Sequence, residues 1–266
     1  MMQSGGDFVD LLRQTGYRFP GENLGDVKGG GDLPFEPTEG TTILAFQYAD
    51  GVLVAGDRRA TAGNMVLYDR ADKLIDLDAY SVMAISGSPA VAFEIARILE
   101  HAFQYHRRRQ LQEMSLQAKL RRLSLLIKDN LPMAIQGIGA VIPIFATFDK
   151  KDGRGKIYFY DALGAQFESS DFTTTGSGSP AIRGAMYYLN RWGGRRFSEM
   201  DRDTAIGYAM QLLDTAAEYD SATGRYERSA DIFPTVKTIT ESGMANVEVE
   251  ELRQFHAQYI DGEGSP

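Results

Sequence analysis

The apolar positions of the chain follow two periods, and the switches between them divide it into blocks. Residues 41–48 (TTILAFQY) and 52–57 (VLVAGD) are rich in β-branched, aromatic and aliphatic side chains. The turn sequence Ala49-Asp50-Gly51 separates them, which predicts a β-hairpin. Shorter strands are predicted over 73–77 and 80–85. Ser86-Gly87-Ser88 interrupts the pattern, and Pro89 stands where a first helical residue belongs. Apolar residues then recur at helical spacing over 90–107 and again from 116 to about 131. Three strands follow, over 140–148, 156–161 and 164–169, with the turn KKDGRG between the first two. Residues 172–176 form another strand, leading through GSGSP into a helix near 181–190. A further helix covers 204–219, a strand covers 235–240, and a short amphipathic helix carries Leu252, Phe255 and Tyr259.

Strands and helices therefore come in blocks, with hairpin-length links between several strands. That order implies antiparallel sheets with segregated helices rather than βαβ crossovers. The expected fold is α+β: two antiparallel sheets stacked face to face with helices on both outer sides, a four-layer αββα sandwich. Nothing after Gly40 reads as an internal repeat or an interdomain linker.

Composition changes the picture at residue 40. Residues 1–40 hold nine glycines and three prolines, 30% of that stretch, against about 11% of the remaining 226 residues. A Gly/Pro share of about 25–30% without a period reads as flexible chain. Within it only 7–14 (DFVDLLRQ) has helical character, with Phe8, Leu11 and Leu12 on one face and Asp7 as N-cap. Two readings of 1–40 stand at this point: a tail with one docking turn, or a leader removed by processing. The expected division is a flexible leader over 1–40 and one catalytic domain over 41–266.

Charge and rare residues narrow the chemistry. The net charge of −8 argues against general affinity for nucleic acid or anionic membranes. No apolar run approaches the ~20 residues of a membrane-spanning helix, and the N-terminus has no secretory pattern, so a cytoplasmic location is expected. There are no cysteines, which excludes disulfides, thiolate metal sites and cysteine nucleophiles. The three histidines, His101, His106 and His256, lie in helical contexts and offer neither a metal-ligand spacing nor a triad base. No metal and no organic cofactor is expected. Gly176-Ser177-Gly178-Ser179 opening a helix could cradle a phosphate. It lacks a P-loop lysine, and a tight turn with Ser179 as N-cap and Pro180 at N1 explains it equally well.

One chemistry needs neither histidine nor cysteine. A threonine at a chain N-terminus carries its own α-amine, whose pKa of ~7.7–8 suits a general base at neutral pH. A nearby lysine lowers the pKa of hydroxyl and amine alike. Such an enzyme is made with a leader, and a glycine before the threonine allows the strained turn that exposes the scissile carbonyl. Here the leader ends in Gly40 and Thr41 follows. Asp57 comes sixteen residues after Thr41 and Lys73 thirty-two after it. Gly87, forty-six after it, lies in a turn before a helix, where an N–H can face an oxyanion. Taken singly, each has a structural explanation: Asp57 as a turn residue, Lys73 as a solvated strand charge, Asp220 as a helix-terminal residue.

Together, TTILAFQYADGVLVAGDRRATAGNM, the Lys73 spacing, AISGSPAVAFEIARI, TTGSGSP and DSATG resemble the β subunit of the bacterial core-particle proteasome, close to the actinobacterial type. The resemblance covers nearly all of 41–240, and DFVDLLRQ is similar to part of that family's propeptide. The related two-ring protease of other bacteria carries GDGQ where this chain has GDRR. The resemblance implies an N-terminal nucleophile hydrolase: a zymogen cleaved between Gly40 and Thr41 and then active as a threonine endopeptidase. Thr41 would be nucleophile and its own base, Lys73 its neighbour, and Asp57 the partner orienting Lys73. Gly87 N–H would form the oxyanion hole, while Ser177, Asp220 and Thr223 would hold the Thr41 amine and an ordered water. Heptameric β rings stacked between rings of α subunits, fed by a ring ATPase and degrading unfolded or tagged proteins, are implied as well.

The same resemblance sets Ala60, Thr61, Ala71, Ile75, Ile85, Pro89 and Phe93 around the bound substrate. None is charged, so cleavage after large apolar residues is expected. Three positions depart from the family pattern: Pro89 in place of an N–H donor, Arg225 where a second glycine is common, and Thr223 where some relatives have serine. Two rival readings share the site's sequence: a catalytically inactive ring subunit of the same fold, and a threonine-nucleophile amidohydrolase acting on small molecules.

Overall fold

The computed structural model describes residues 8–19, 40–62, 65–136, 139–226 and 231–262. In chain order the elements are α1 (Phe8–Gln14), β1 (Thr42–Tyr48), β2 (Gly51–Gly56), β3 (Ala60–Ala62), β4 (Met65–Tyr68), β5 (Leu74–Asp78) and β6 (Ser81–Ala84). Helices α2 (Pro89–Gln110), α3 (Leu116–Asp129) and α4 (Leu131–Ile135) follow, then β7 (Ile144–Asp149), β8 (Arg154–Tyr160), β9 (Gln166–Ser169) and β10 (Phe172–Gly176). The last third holds α5 (Ser179–Trp192), α6 (Arg202–Tyr219), β11 (Thr235–Thr240), β12 (Gly243–Asn246) and α7 (Val249–Tyr259).

Two five-stranded sheets form, in the orders β10-β1-β2-β11-β12 and β5-β6-β7-β8-β9, and every strand pair in them is antiparallel. Side-chain alternation within each strand explains the layers. Ile43 and Ala45 of β1, Val52 and Val54 of β2, and Val82 and Ala84 of β6 point into a cluster between the sheets. Their neighbours Leu44, Phe46, Leu53 and Ala55 meet α5, α6 and α7 on one outer side. Met83 and Ile85 meet α2 and α3 on the other. The central strands are thus buried on both faces, which is why 41–48 and 52–57 read as nearly continuous apolar runs. The arrangement is the expected four-layer sandwich.

Several details differ from expectation. Ser179 is the first residue of α5 rather than its cap; Gly178 takes the cap position and no side chain caps that end. The buried Ser179 backbone is already helical, so its hydroxyl is not placed to reach back as an N-cap would. In α1 the buried residue is Val9, whereas Leu11 is exposed: the face turned to α2 runs through Phe8, Val9 and Leu12 instead of Phe8, Leu11 and Leu12. Asp7, expected as its N-cap, lies outside the described residues. The small hairpin β3–β4 and the strand β12 carry too few residues to show a period.

The ladders bring the chemistry-bearing residues to one end of the sandwich. Thr42 pairs with Gly176, and Ile43 with Gly56. The start of β1 therefore adjoins the ends of β2 and β10, next to Asp57 and Ser177. In the facing sheet Leu74 pairs with Ala84, setting Lys73 and the 85–88 turn at the same end.

Candidate active site

Thr41 immediately precedes β1 and is buried, 5% exposed. Its hydroxyl lies 2.5 Å from the carbonyl oxygen of Gly40, the residue before it. Lys73 Nζ donates to that same oxygen at 3.2 Å and to Asp57 Oδ1 at 2.7 Å. A Cβ on Gly40 would fall 2.2 Å from Thr61 Oγ1 and 2.8 Å from Ala222 Cβ, so only glycine fits between β3 and the loop after α6.

Asp57, 1% exposed, is the hub of this arrangement. Oδ1 accepts from Lys73 and from Thr42 N–H at 2.7 Å, while Oδ2 accepts from the N–H groups of Arg59 (2.9 Å) and Gly224 (2.8 Å). Four donors on one carboxylate compensate for its removal from water. Burial pulls the Lys73 ammonium below the ordinary lysine range, and the adjoining Asp57 charge opposes that shift.

On the other side of Thr41, hydroxyls converge on Asp220. Ser177 Oγ donates to Asp220 Oδ2 at 2.7 Å, and Thr223 Oγ1 donates to the same oxygen at 2.6 Å. Each hydroxyl has one hydrogen to give. Thr223 spends its hydrogen on Asp220, so Thr42 Oγ1, 2.6 Å away, must be the donor to Thr223. By the same count Ser177, donating to Asp220, accepts from the Thr41 N–H at 3.4 Å. The array runs inward to a carboxylate from both ends.

Gly87 has φ +94°, and a Cβ there would lie 2.1 Å from Ala140 O. It faces Val141 across an isolated bridge, flanked by Ser88 N–H to Ala140 O (2.8 Å) and Ile142 N–H to Ser86 O (3.0 Å). In such a pair the middle residue turns its own N–H away from the partner strand. The Gly87 N–H therefore points to the side on which Ile85 N–H meets Lys73 O at 2.9 Å.

Thr41, Asp57, Lys73, Ser177, Asp220 and Thr223 are thus joined in one connected network. Of the expected substrate-side residues, Ala60 and Thr61 lie on β3 beside Gly40. Ala71 is tied by its N–H to Arg58 O, Ile75 and Ile85 share one apolar cluster, and Pro89 opens α2. Phe93, 40% exposed on α2, stands outside that cluster. Sequence reading passed over Thr42 and Arg59. The first is visible only as the second half of a Thr-Thr pair. The second sits in GDRR, and its guanidinium links Asp69 (3.0 Å) to Ser221 O (3.2 Å). Among the described residues no His/Asp/Glu group is arranged to hold a metal.

Two antiparallel sheets between helix layers, with a glycine-preceded threonine at the head of the first strand, define the N-terminal nucleophile class of hydrolases. The family model described as "Proteasome subunit" matches residues 38–227. A protein named proteasome subunit beta 2 from Thermomonospora curvata is 38% identical over 249 residues, covering 93% of this chain and 85% of the relative. A proteasome subunit beta from Streptomyces griseus is 35% identical over 256 residues, covering 96% and 87%. The chain belongs to the proteasome subunit family, on its β side, and is a threonine-type endopeptidase.

Proposed function

We propose that residues 1–40 are a leader, that the chain cuts itself between Gly40 and Thr41, and that Thr41 is then the nucleophile of the domain spanning 41–266. The observation that carries this reading is the grip on the Gly40 carbonyl, with the Thr41 hydroxyl at 2.5 Å and the Lys73 ammonium at 3.2 Å from its oxygen. In self-cleavage Thr41 Oγ bonds to the Gly40 carbonyl carbon, and Lys73 stabilises the charge growing on that oxygen. Collapse breaks the C–N bond as the proton given up by the hydroxyl passes to the departing nitrogen, which leaves the acyl group on Thr41 Oγ and a free amine on Thr41. Water then hydrolyses the ester, giving a Gly40 carboxylate and restoring the hydroxyl.

The new amine takes the hydroxyl proton when a substrate peptide is attacked. Ser177 and Asp220 favour its protonated form through the bond at 2.7 Å, and Lys73 favours the alkoxide character of Oγ. Gly87 N–H takes the oxyanion of the substrate carbonyl. Ile75 and Ile85, uncharged and packed in one cluster, support cleavage after large apolar residues.

The working particle is a cytoplasmic stack of heptameric rings, β rings between α rings, fed with unfolded or tagged proteins by a ring ATPase. The test compares Thr41→Ala with the unaltered chain by intact mass and by hydrolysis of peptides ending in Phe, Leu or Tyr. The variant is expected to stay full length and inactive. Normal leader removal in Thr41→Ala, in a host without active partner subunits, refutes self-cleavage, and preferred hydrolysis after Arg or Glu refutes the pocket.

A further inference from the structure

The proposed cut falls at residue 40, yet the described part of the leader docks on a different face. Residues 8–19 pack on the outer side of α2 and the end of α3. Phe8 stacks on His101 with ring centroids 6.1 Å apart and leans on Tyr105 at 5.8 Å. The Tyr17 hydroxyl donates to Glu94. Arg13 crosses to Asp129, the last residue of α3, at 2.8 Å. Glu94, His101 and Tyr105 are spaced seven and four apart, one stripe along α2.

Two side chains go deeper. Val9 and Phe19 are 2% and 1% exposed and belong to the same apolar cluster as Met83, Leu99 and Tyr158. They complete the core of that layer, and the layer would lose packing contacts without them.

We propose that residues 8–19 are a ligand of the α2–α3 face in their own right. Resting on the cleavage proposed above, this means that the leader stays bound there without a covalent link once the Gly40–Thr41 bond is broken. Cutting that bond removes none of the contacts named here. It changes only how the segment is held: before the cut, at an effective concentration on the order of mM; afterwards, by its own contacts. A seven-residue helix does not persist alone in water, so the segment folds only while docked. Undocking, rather than peptide cleavage, then decides when the α2–α3 face opens to any other protein.

The test weighs the purified, self-processed protein twice, once denatured and once under native conditions. The denatured mass reports whether 1–40 has been cut off, and the native mass reports whether the fragment remains attached. Expected is a cut chain carrying its leader one to one. The double variant Val9→Ala/Phe19→Ala should be cut equally but retain at least tenfold less leader, with Phe19→Leu close to the unaltered chain. A second arm does not depend on self-cleavage: full-length Thr41→Ala with a specific protease site inserted between Gly29 and Gly30, cut and weighed natively. Loss of the fragment from both cut proteins overturns the proposal, as does equal retention by the double variant. A chain that never cuts itself, yet keeps its fragment after the inserted site is cut, refutes the self-processing reading and supports this one.

Discussion

The Asp57 carboxylate accepts four hydrogen bonds, and an amide cannot replace it. In an Asp57→Asn variant the new side chain could flip either way. Its NH2 would then face two donors, the N–H groups of Arg59 and Gly224 or those of Lys73 and Thr42. Leaving buried donors unmet costs about 1–3 kcal/mol, which denaturant unfolding of the variant should show. A pH effect follows from the same contact. Burial lowers the Lys73 pKa and the Asp57 charge raises it. Removing that charge lowers the pKa further, so the ammonium is lost at lower pH. The alkaline limb of the activity profile should therefore move to lower pH in Asp57→Asn. An unmoved limb would remove the charged lysine from the mechanism. Lys73→Ala should reduce turnover by about 10²–10³ in a folded protein. Thr42, fully buried, supplies the hydrogen that Thr223 needs once Thr223 has donated to Asp220. Thr42→Val keeps the volume and removes that donor. It should lower kcat with little change in KM, and Thr42→Ser should restore it.

At the scale of elements, the site depends on how closely three segments approach. Gly40 passes between β3 and the loop after α6 with no room for a side chain. Gly40→Ala should therefore push the scissile carbonyl away from Thr41 and Lys73. Self-cleavage followed by intact mass over time should slow by about 10²-fold, the size expected when reacting groups are displaced by about 1 Å. Unchanged processing would mean that the carbonyl is not held where these contacts put it. The start of α2 sets a second limit. Pro89 is its first residue and has no N–H to offer a substrate backbone. Pro89→Ala should lower KM for peptides ending in Phe, Leu or Tyr by about two- to twelvefold, equivalent to about 0.5–1.5 kcal/mol, with kcat nearly constant.

For the whole molecule, the arrangement of layers explains why one end carries the chemistry. Antiparallel pairing brings the start of β1 beside the ends of β2 and β10, and the stacking of the sheets brings Lys73 to Asp57. The groups proposed for self-cleavage all come from one chain, whereas the proposed ring particle needs many. Size-exclusion chromatography with light scattering, on the chain co-expressed with its α partner, should show the mature protein in a very large particle. A fully active monomer would instead favour the small-molecule amidohydrolase.

The central strands and long helices were legible in the sequence because each such strand is buried on both faces and each such helix on one, so burial leaves a period in the residue types; β3, β4, β12 and α4 are too short to carry one. Turn chemistry and spacing put Thr41, Asp57 and Lys73 at strand ends but left each with a structural explanation, and the roles proposed for them came from the resemblance. What pattern could not supply is which backbone groups would meet. The Gly224 N–H reaches Asp57 across 167 positions of chain, and nothing in its sequence position carries a trace of that contact. The direction of the hydroxyl array likewise came from distances among Thr42, Thr223, Asp220 and Ser177. The docking of 8–19 belongs to the same category. A glycine-rich stretch looks flexible by composition, but Val9 and Phe19 find a place in a core built by side chains from Leu77 to Tyr160. Composition and period report what each residue prefers on average; which partner a buried group meets is decided only when the layers close.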